Sequence, residues 1–211
     1  LAELESFGLG DSDPSVLYRA LRDMEEKGWV SSYWEEEQTQ GPPRRVYRLT
    51  EEGNEVLRWW TDDLHETAQA VRVFESLGAE LLIHCGDIGS LDVLSALAAW
   101  PVHFVLGNVD RGMRLAGAAV PAGHVCHDRF GTLTLEGKAV AFLHGDDDTR
   151  LRQAIRCRQW DMVCCGHTHS PSNRHEGGTL VLNPGAVTRA HQRSVAIVDL
   201  PALDATHVPL G

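Results

Sequence analysis

Four times along the chain a short apolar run closes on a small residue and then on side chains rich in oxygen or nitrogen. The runs are Leu82-Ile83-His84-Cys85-Gly86-Asp87, Phe104-Val105-Leu106-Gly107-Asn108-Val109-Asp110, Val140-Ala141-Phe142-Leu143-His144-Gly145-Asp146 and Trp160-Asp161-Met162-Val163-Cys164-Cys165-Gly166-His167-Thr168-His169. Such runs, bounded by glycine, predict buried strands whose polar groups project beyond the strand ends. Between them the periodicity is helical. In 66–77, Ala70, Val71, Phe74 and Leu77 share a face and Gly78 is a stop; 90–100 predicts a second helix ended by Pro101, and 148–158 a third. Residues 132–135 and 139–143, joined at Gly137-Lys138, predict a hairpin that brings His144 to its strand end. Strands alternating with helices, then a strand-rich end, predict an α/β class: a mixed β-sandwich with helices outside.

The first 64 residues have a different grammar. Asp13-Pro14 is a helix start, with Asp13 as N-cap, Gly28 as stop and Leu17, Leu21 and Met24 as the inner stripe. Residues 29–37 and 44–49 flank Gly41-Pro42-Pro43, which predicts a hairpin with a basic tip at Arg44 and Arg45. Thr50-Glu51-Glu52-Gly53 then opens another helix, its acidic first turn complementing the dipole.

The chemistry lies at the four strand ends. His167 and His169 by themselves would read as an exposed loop, but their company changes that reading. Carboxylate, carboxamide and imidazole together suit Mn²⁺, Fe²⁺ or Zn²⁺. A two-metal centre, with ions about 3.5–4 Å apart, needs a bridging carboxylate, and Asp87 is the candidate.

Gly86-Asp87, Gly107-Asn108, His144-Gly145 and Gly166-His167-Thr168-His169 resemble, in that order, the signature of the calcineurin-like metallophosphoesterases. Asn183-Pro184-Gly185-Ala186 and the tail 195–200 resemble their small bacterial and archaeal phosphodiesterase branch. The resemblance covers about 66–211 and implies an αββα sandwich that hydrolyses phosphodiesters or other phosphate esters through a metal-bridging hydroxide. It implies two divalent ions, Mn²⁺ foremost with Fe, Zn or Ni as alternatives. Asp87 would bridge them, Asn108, His144 and His167 would complete one site, and His169 would belong to the other. Relatives often carry a histidine after Gly-Asn as the acid that protonates the leaving group; Val109 stands here, which favours leaving groups needing no proton.

Ser15-Val16-Leu17-Tyr18-Arg19-Ala20-Leu21-Arg22 and Gly41-Pro42-Pro43-Arg44-Arg45-Val46-Tyr47-Arg48-Leu49-Thr50 resemble the winged helix of PadR-family transcriptional regulators, without that family's first helix. The resemblance makes Tyr18, Arg19, Arg22, Arg44 and Arg45 candidate contacts to duplex DNA, although residues 1–64 carry seven basic against fifteen acidic side chains. The expected organisation is thus a partial α+β winged helix over 1–64 and a phosphoesterase domain over 65–211.

At the seam the phosphoesterase family opens with a strand ending in Asp-x-His. Asp63-Leu64-His65 spells that motif several residues late. Either 56–61 forms a makeshift strand and Asp63 and His65 ligate an ion, or the strand is lost and both residues continue a helix; the second is the expectation. A gene fusion, a chimera or a mis-joined frame would each leave two families cut at one seam.

Other readings remain open beside these. Asp110 either supports the chemistry or caps its turn, and His84 is either a neighbour of the centre or a packed core histidine. Asp146, Asp147 and Asp148 read as a helix-capping cluster, and His103, His124, His127, His175, His191 and His207 as surface or packing residues. Five cysteines without a C-x-x-C pair read as reduced, mostly packing thiols. A net charge of −11 disfavours free nucleic acid as a bulk partner, and the lack of a long apolar run or signal peptide makes the cytoplasm the expectation. An oligomer is compatible with the sequence. The rival functions are a DNA-binding regulator whose second domain senses a phosphate ligand, and a metal-poor binding scaffold.

Overall fold

The computed structural model describes residues 13–35, 44–112 and 120–211. The chain divides into two compact units, Leu1–Thr61 and Asp62–Gly211.

In the first unit, Asp13 caps helix α1 (Pro14–Glu26), its Oδ1 accepting from the Ser15 amide at 2.8 Å with proline at the first helical position. Leu17, Leu21 and Met24 form the half-buried face, as their spacing predicts. Strands β1 (Val30–Glu35) and β2 (Arg44–Leu49) pair antiparallel, with Val30 opposite Leu49 and Glu35 opposite Arg44. The turn at 41–43 lies outside the described residues. Thr50 starts helix α2 (Glu51–Ser76), its Oγ1 accepting from the Gly53 amide at 3.0 Å.

Helix α2 settles the local structure of the seam. Residues 54–77 contain neither glycine nor proline, so nothing interrupts the helix where a makeshift strand was the alternative. Its later turns bury Ala70, with Val71 and Phe74 packed on the core of the second unit. Leu77 departs from the expected face: it lies past the helix end and is 52% exposed.

The second unit is layered. A five-stranded sheet has the order β6-β7-β8-β10-β9: β6 (Phe130–Leu135), β7 (Lys138–Leu143), β8 (Met162–Cys164), β10 (Thr179–Asn183) and β9 (Ser172–Glu176). A three-stranded parallel sheet contains β3 (Leu82–His84), β4 (Val102–Phe104) and β5 (His124–Cys126), and β11 (Ser194–Asp199) pairs with β12 (Asp204–Pro209). Strand alternation assigns the layers. Val140, Phe142, Met162, Cys164, Leu180 and Leu182 meet Cys85, Val105, Ala196 and Val198 between the sheets. Ala141, Leu143, Val163 and Val181 face the opposite way, onto Ala154 and Ile155 of helix α4 (Asp148–Arg156). On the far side, Leu82, Val102 and Phe104 pack with Val93 and Leu94 of helix α3 (Leu91–Ala96) and with Val71 and Phe74 of α2. This is the expected αββα sandwich. Helix α3 is shorter than 90–100 because Leu97 already leaves helical geometry and residues 97–99 form turns.

All five cysteines are free; Cys85, Cys164 and Cys165 are buried, and burial pushes the Cys164 thiol up to about 12. Cys126 and Cys157 are exposed and so are not packing residues. His103 Nδ1 and His127 Nε2 are 2.9 Å apart, so these two histidines pack as a hydrogen-bonded pair. Among the described residues no helix is long and apolar enough to cross a membrane.

Candidate metal centre

Strands β3 and β4 are parallel, as are β7 and β8, and each delivers one candidate donor beyond its end: Asp87, Asn108, His144 and His167 respectively. The backbone takes unusual conformations to do so. Asp87, His167 and His169 all have left-handed φ values, 56°, 67° and 54°, a conformation costly for most L-residues and concentrated at functional sites. Two glycines make room. A Cβ on Gly86, at φ +92°, would lie 2.8 Å from His144 Nδ1, and one on Gly107 would run into the amide and carboxylate of Asp87.

His144, 3% exposed, is the hub. Its Nδ1 lies 2.8 Å from the Cys85 carbonyl, an acceptor only, so this nitrogen is the donor, and an Nε2 without a proton presents its lone pair to the site. That Nε2 lies 3.0 Å from Asn108 Oδ1, 3.3 Å from Asp87 Oδ2 and 3.2 Å from His167 Nδ1. A lone pair facing two acceptor oxygens is unfavourable unless a cation, a proton or a metal, lies among them. Separations of 3.0–3.3 Å match neighbouring ligands of one ion bound at about 2.1 Å, which set their donors roughly 3.0–3.4 Å apart. The donor chemistry therefore fits a borderline divalent ion. Among the described residues no three His, Cys, Asp and Glu side chains already stand as a finished metal site, and here the set includes a carboxamide.

Asp110 is 2% exposed and its oxygens are fully engaged: Oδ2 accepts from Gly107 N at 2.8 Å and Ile88 N at 3.2 Å, and Oδ1 from Gly89 N at 3.2 Å. It ties the Asp87 loop to the Asn108 loop. His84 Nδ1 is buried with no hydrogen-bond partner among the described residues, and burial lowers its pKa against the pull of Asp110 and Asp87.

Asp63 and His65 lie in the middle of α2, where positions two apart point about 200° away from each other. The helix therefore does not aim them at a common ion. Asp63 Oδ2 approaches Arg189 Nη2 at 3.6 Å, and the Arg189 carbonyl accepts from His169 Nδ1 at 3.1 Å; His65 instead meets Gln69, 3.2 Å away. Arg189 thus stands between Asp63 and His169, and the Asp63 carboxylate also lies beside Gly89 of the Asp87 loop, where a Cβ on that glycine would be 3.9 Å from Oδ2. Asp147 caps α4, accepting from Thr149 and Arg150 amides at 3.1 and 3.0 Å, whereas Asp146 departs from the capping reading and pairs with Arg129 at 2.6 Å. Asn183 pins the His167 loop, its Nδ2 donating to Gly166 O and Thr168 Oγ1, both at 3.0 Å. Arg129 carried no signal in the sequence, because it stands outside every motif.

In the first unit, Tyr18, Arg19 and Arg22 are exposed on α1. Arg45 is occupied, donating to Glu25 at 2.8 Å and Ser32 at 2.9 Å, and the Arg44 side chain lies outside the described residues.

Residues 62–202 match the calcineurin-like phosphoesterase superfamily domain, and residues 1–59 match the transcriptional regulator PadR-like family. A probable metallophosphoesterase of Methanothermobacter thermautotrophicus is 32% identical over 142 residues, spanning 63% of this chain and 77% of that protein. A phosphodiesterase of Methanocaldococcus jannaschii is 28% identical over 130 residues, spanning 59% and 77%. The solved structure of an archaeal phosphodiesterase superposes with a TM-score of 0.64 at 24% identity, covering 71% of this chain and 94% of that one.

Proposed function

Because this chain belongs to the calcineurin-like phosphoesterase superfamily, whose members generally use divalent metals, we propose that it is a metal-dependent hydrolase of phosphodiesters. The convergence of Asp87, Asn108 and His167 on the His144 Nε2 lone pair is the observation that carries this reading. These four residues would hold a divalent ion, Mn²⁺ foremost, with His169 available toward a second. When bound, the metal supplies Lewis-acid polarisation of the phosphoryl oxygens and lowers the pKa of water at the site.

The protein's own part is positioning. The Cys85 carbonyl fixes the His144 tautomer so that Nε2 faces the site, a task that carbonyl and carboxylate partners of ligating histidines commonly perform. The Val109 amide holds Asp87 Oδ1 at 3.1 Å, orienting its carboxylate. The exposed edge at His167 leaves room for a substrate, while His144 is shielded from water. Val109, 56% exposed, offers no proton to a departing alkoxide, so esters with good leaving groups are the preferred substrates.

The test is hydrolysis of bis(4-nitrophenyl) phosphate beside 4-nitrophenyl phosphate. The diester is expected to turn over faster, with activity removed by EDTA and restored by Mn²⁺. Alkyl phosphodiesters should lag in proportion to their leaving-group pKa. Turnover that persists in EDTA would overturn the metal-dependent reading, and preference for the monoester would overturn the diester assignment.

The match of residues 1–59 to the PadR-like family favours a second reading, contact with duplex DNA through the exposed face of α1 that carries Tyr18, Arg19 and Arg22. Salt-sensitive retention on a duplex-DNA column, reduced by combining Arg19→Ala with Arg22→Ala, is its expected result; retention unchanged by that pair counts against it.

A further inference from the structure

We propose that Arg129 is a positioning residue that sets the distance between Asn108 and His144; the inference rests on the metal-centre reading above. Arg129 immediately precedes β6, and its guanidinium spans two loops. Nη1 donates to the Leu106 carbonyl at 2.8 Å, two residues before Asn108. Nη2 donates to the Asp146 carboxylate at 2.6 Å, two residues after His144.

The two ends of this strap belong to different sheets. Leu106 follows β4 of the three-stranded sheet, and Asp146 follows β7 of the five-stranded one. Neither recipient lies in a regular element, so no strand pairing otherwise fixes the loops against each other. The base of the strap is anchored as well, since the Leu106 amide donates to the Asp128 carbonyl at 2.6 Å. Side-chain exposures of 29% for Arg129 and 15% for Asp146 leave the pair partly shielded, where charge-assisted bonds hold geometry best.

A planar fork is required for this work. Guanidinium presents donors in fixed, diverging directions, so one side chain reaches a carbonyl and a carboxylate at once; a lysine ammonium is a point charge on a flexible stem and holds one firmly. The contact being set is the 3.0 Å approach of Asn108 Oδ1 to His144 Nε2, and ligand geometry of this kind tolerates only about 0.5 Å of drift. Arg129 touches neither reacting atoms nor the ion, and acts through the loops.

The experiment titrates the full chain with Mn²⁺ by calorimetry, comparing wild type with Arg129→Met, Arg129→Lys and Asp146→Asn, each checked for cooperative melting in EDTA. Arg129→Met is expected to weaken Mn²⁺ binding about 10–100-fold, the usual effect of losing an outer support of a metal ligand, with the other two variants between. In an Asn108→Ala background the Arg129→Met effect should nearly vanish, which a general loosening of the fold would not produce. Binding within twofold of wild type in a folded Arg129→Met chain overturns the proposal. So does an undiminished effect in the Asn108→Ala background, or loss of cooperative melting in all three variants, which would make the strap a requirement of the fold. His167→Ala separates the premises: if it too leaves Mn²⁺ affinity unchanged, the metal-centre reading fails, whereas its loss beside an unaffected Arg129→Met sinks only this inference.

Discussion

Asp87→Asn is expected to strip bound Mn²⁺ from the chain and to lower phosphodiester turnover by about 10²–10³ or more. Asparagine keeps the shape and the Oδ1 bond from the Val109 amide but removes the negative charge that faces His144 Nε2 from 3.3 Å. Elemental analysis after purification with Mn²⁺ should find one tightly held ion per wild-type chain and little in the variant. The expectation of one rather than two follows from α2: the helix turns Asp63 toward Arg189 and His65 toward Gln69, so the two are not aligned as a pair of donors beside His169. His65→Ala should therefore leave metal content unchanged. Two ions in the wild type, one of them lost with His65→Ala, would refute that account.

The largest loss of stability is expected from Asp110→Ala. Three backbone amides, of Gly107, Ile88 and Gly89, point at this buried carboxylate, and an alanine leaves all three without their partner. The Gly107 and Ile88 amides are buried and each costs about 1–3 kcal/mol when unsatisfied, whereas exposed Gly89 can turn its N–H to water, so a net loss of about 2–4 kcal/mol is expected. Asp110→Asn is the discriminating comparison. Its amide oxygen can replace Oδ2, which serves Gly107 and Ile88, but its NH₂ then faces the Gly89 N–H, donor against donor. A loss of about 1–2 kcal/mol is expected there. Urea unfolding of the metal-free chain measures both, and equal losses in the two variants would show that the carboxylate's acceptor geometry is not what holds the turns.

Much of this site was legible in the chain because its donors sit immediately after apolar runs that have no alternative to burial. Val140-Ala141-Phe142-Leu143 splits between two cores by strict alternation, which fixes where His144 emerges. Asp63-Leu64-His65 is legible for a different reason: the letters of a strand-end motif occur within 54–77, where no glycine or proline breaks the pattern and local propensity decides, so the expected continuation of the helix is what forms. Asp110 stayed ambiguous because two of its three bonds go to Ile88 and Gly89, more than twenty residues away, and a capping residue looks the same in sequence. Arg129 was invisible, since its partners Leu106 and Asp146 become neighbours only after the sheets have stacked.

That stacking has a thermodynamic consequence. Two candidate donors, Asp87 and Asn108, come from one sheet and two, His144 and His167, from the other, so an occupant of the site would cross-link layers that otherwise meet mainly through apolar side chains, with the Arg129 strap and the His144–Cys85 bond beside them. Free energy of ligation is then shared by the whole sandwich: at a free ligand concentration one hundred times its dissociation constant, the folded state gains about 2.7 kcal/mol. Ion supply would thus govern how long the second unit survives as well as whether it turns over substrate, and starvation for metal would register first as a shortened lifetime of the protein.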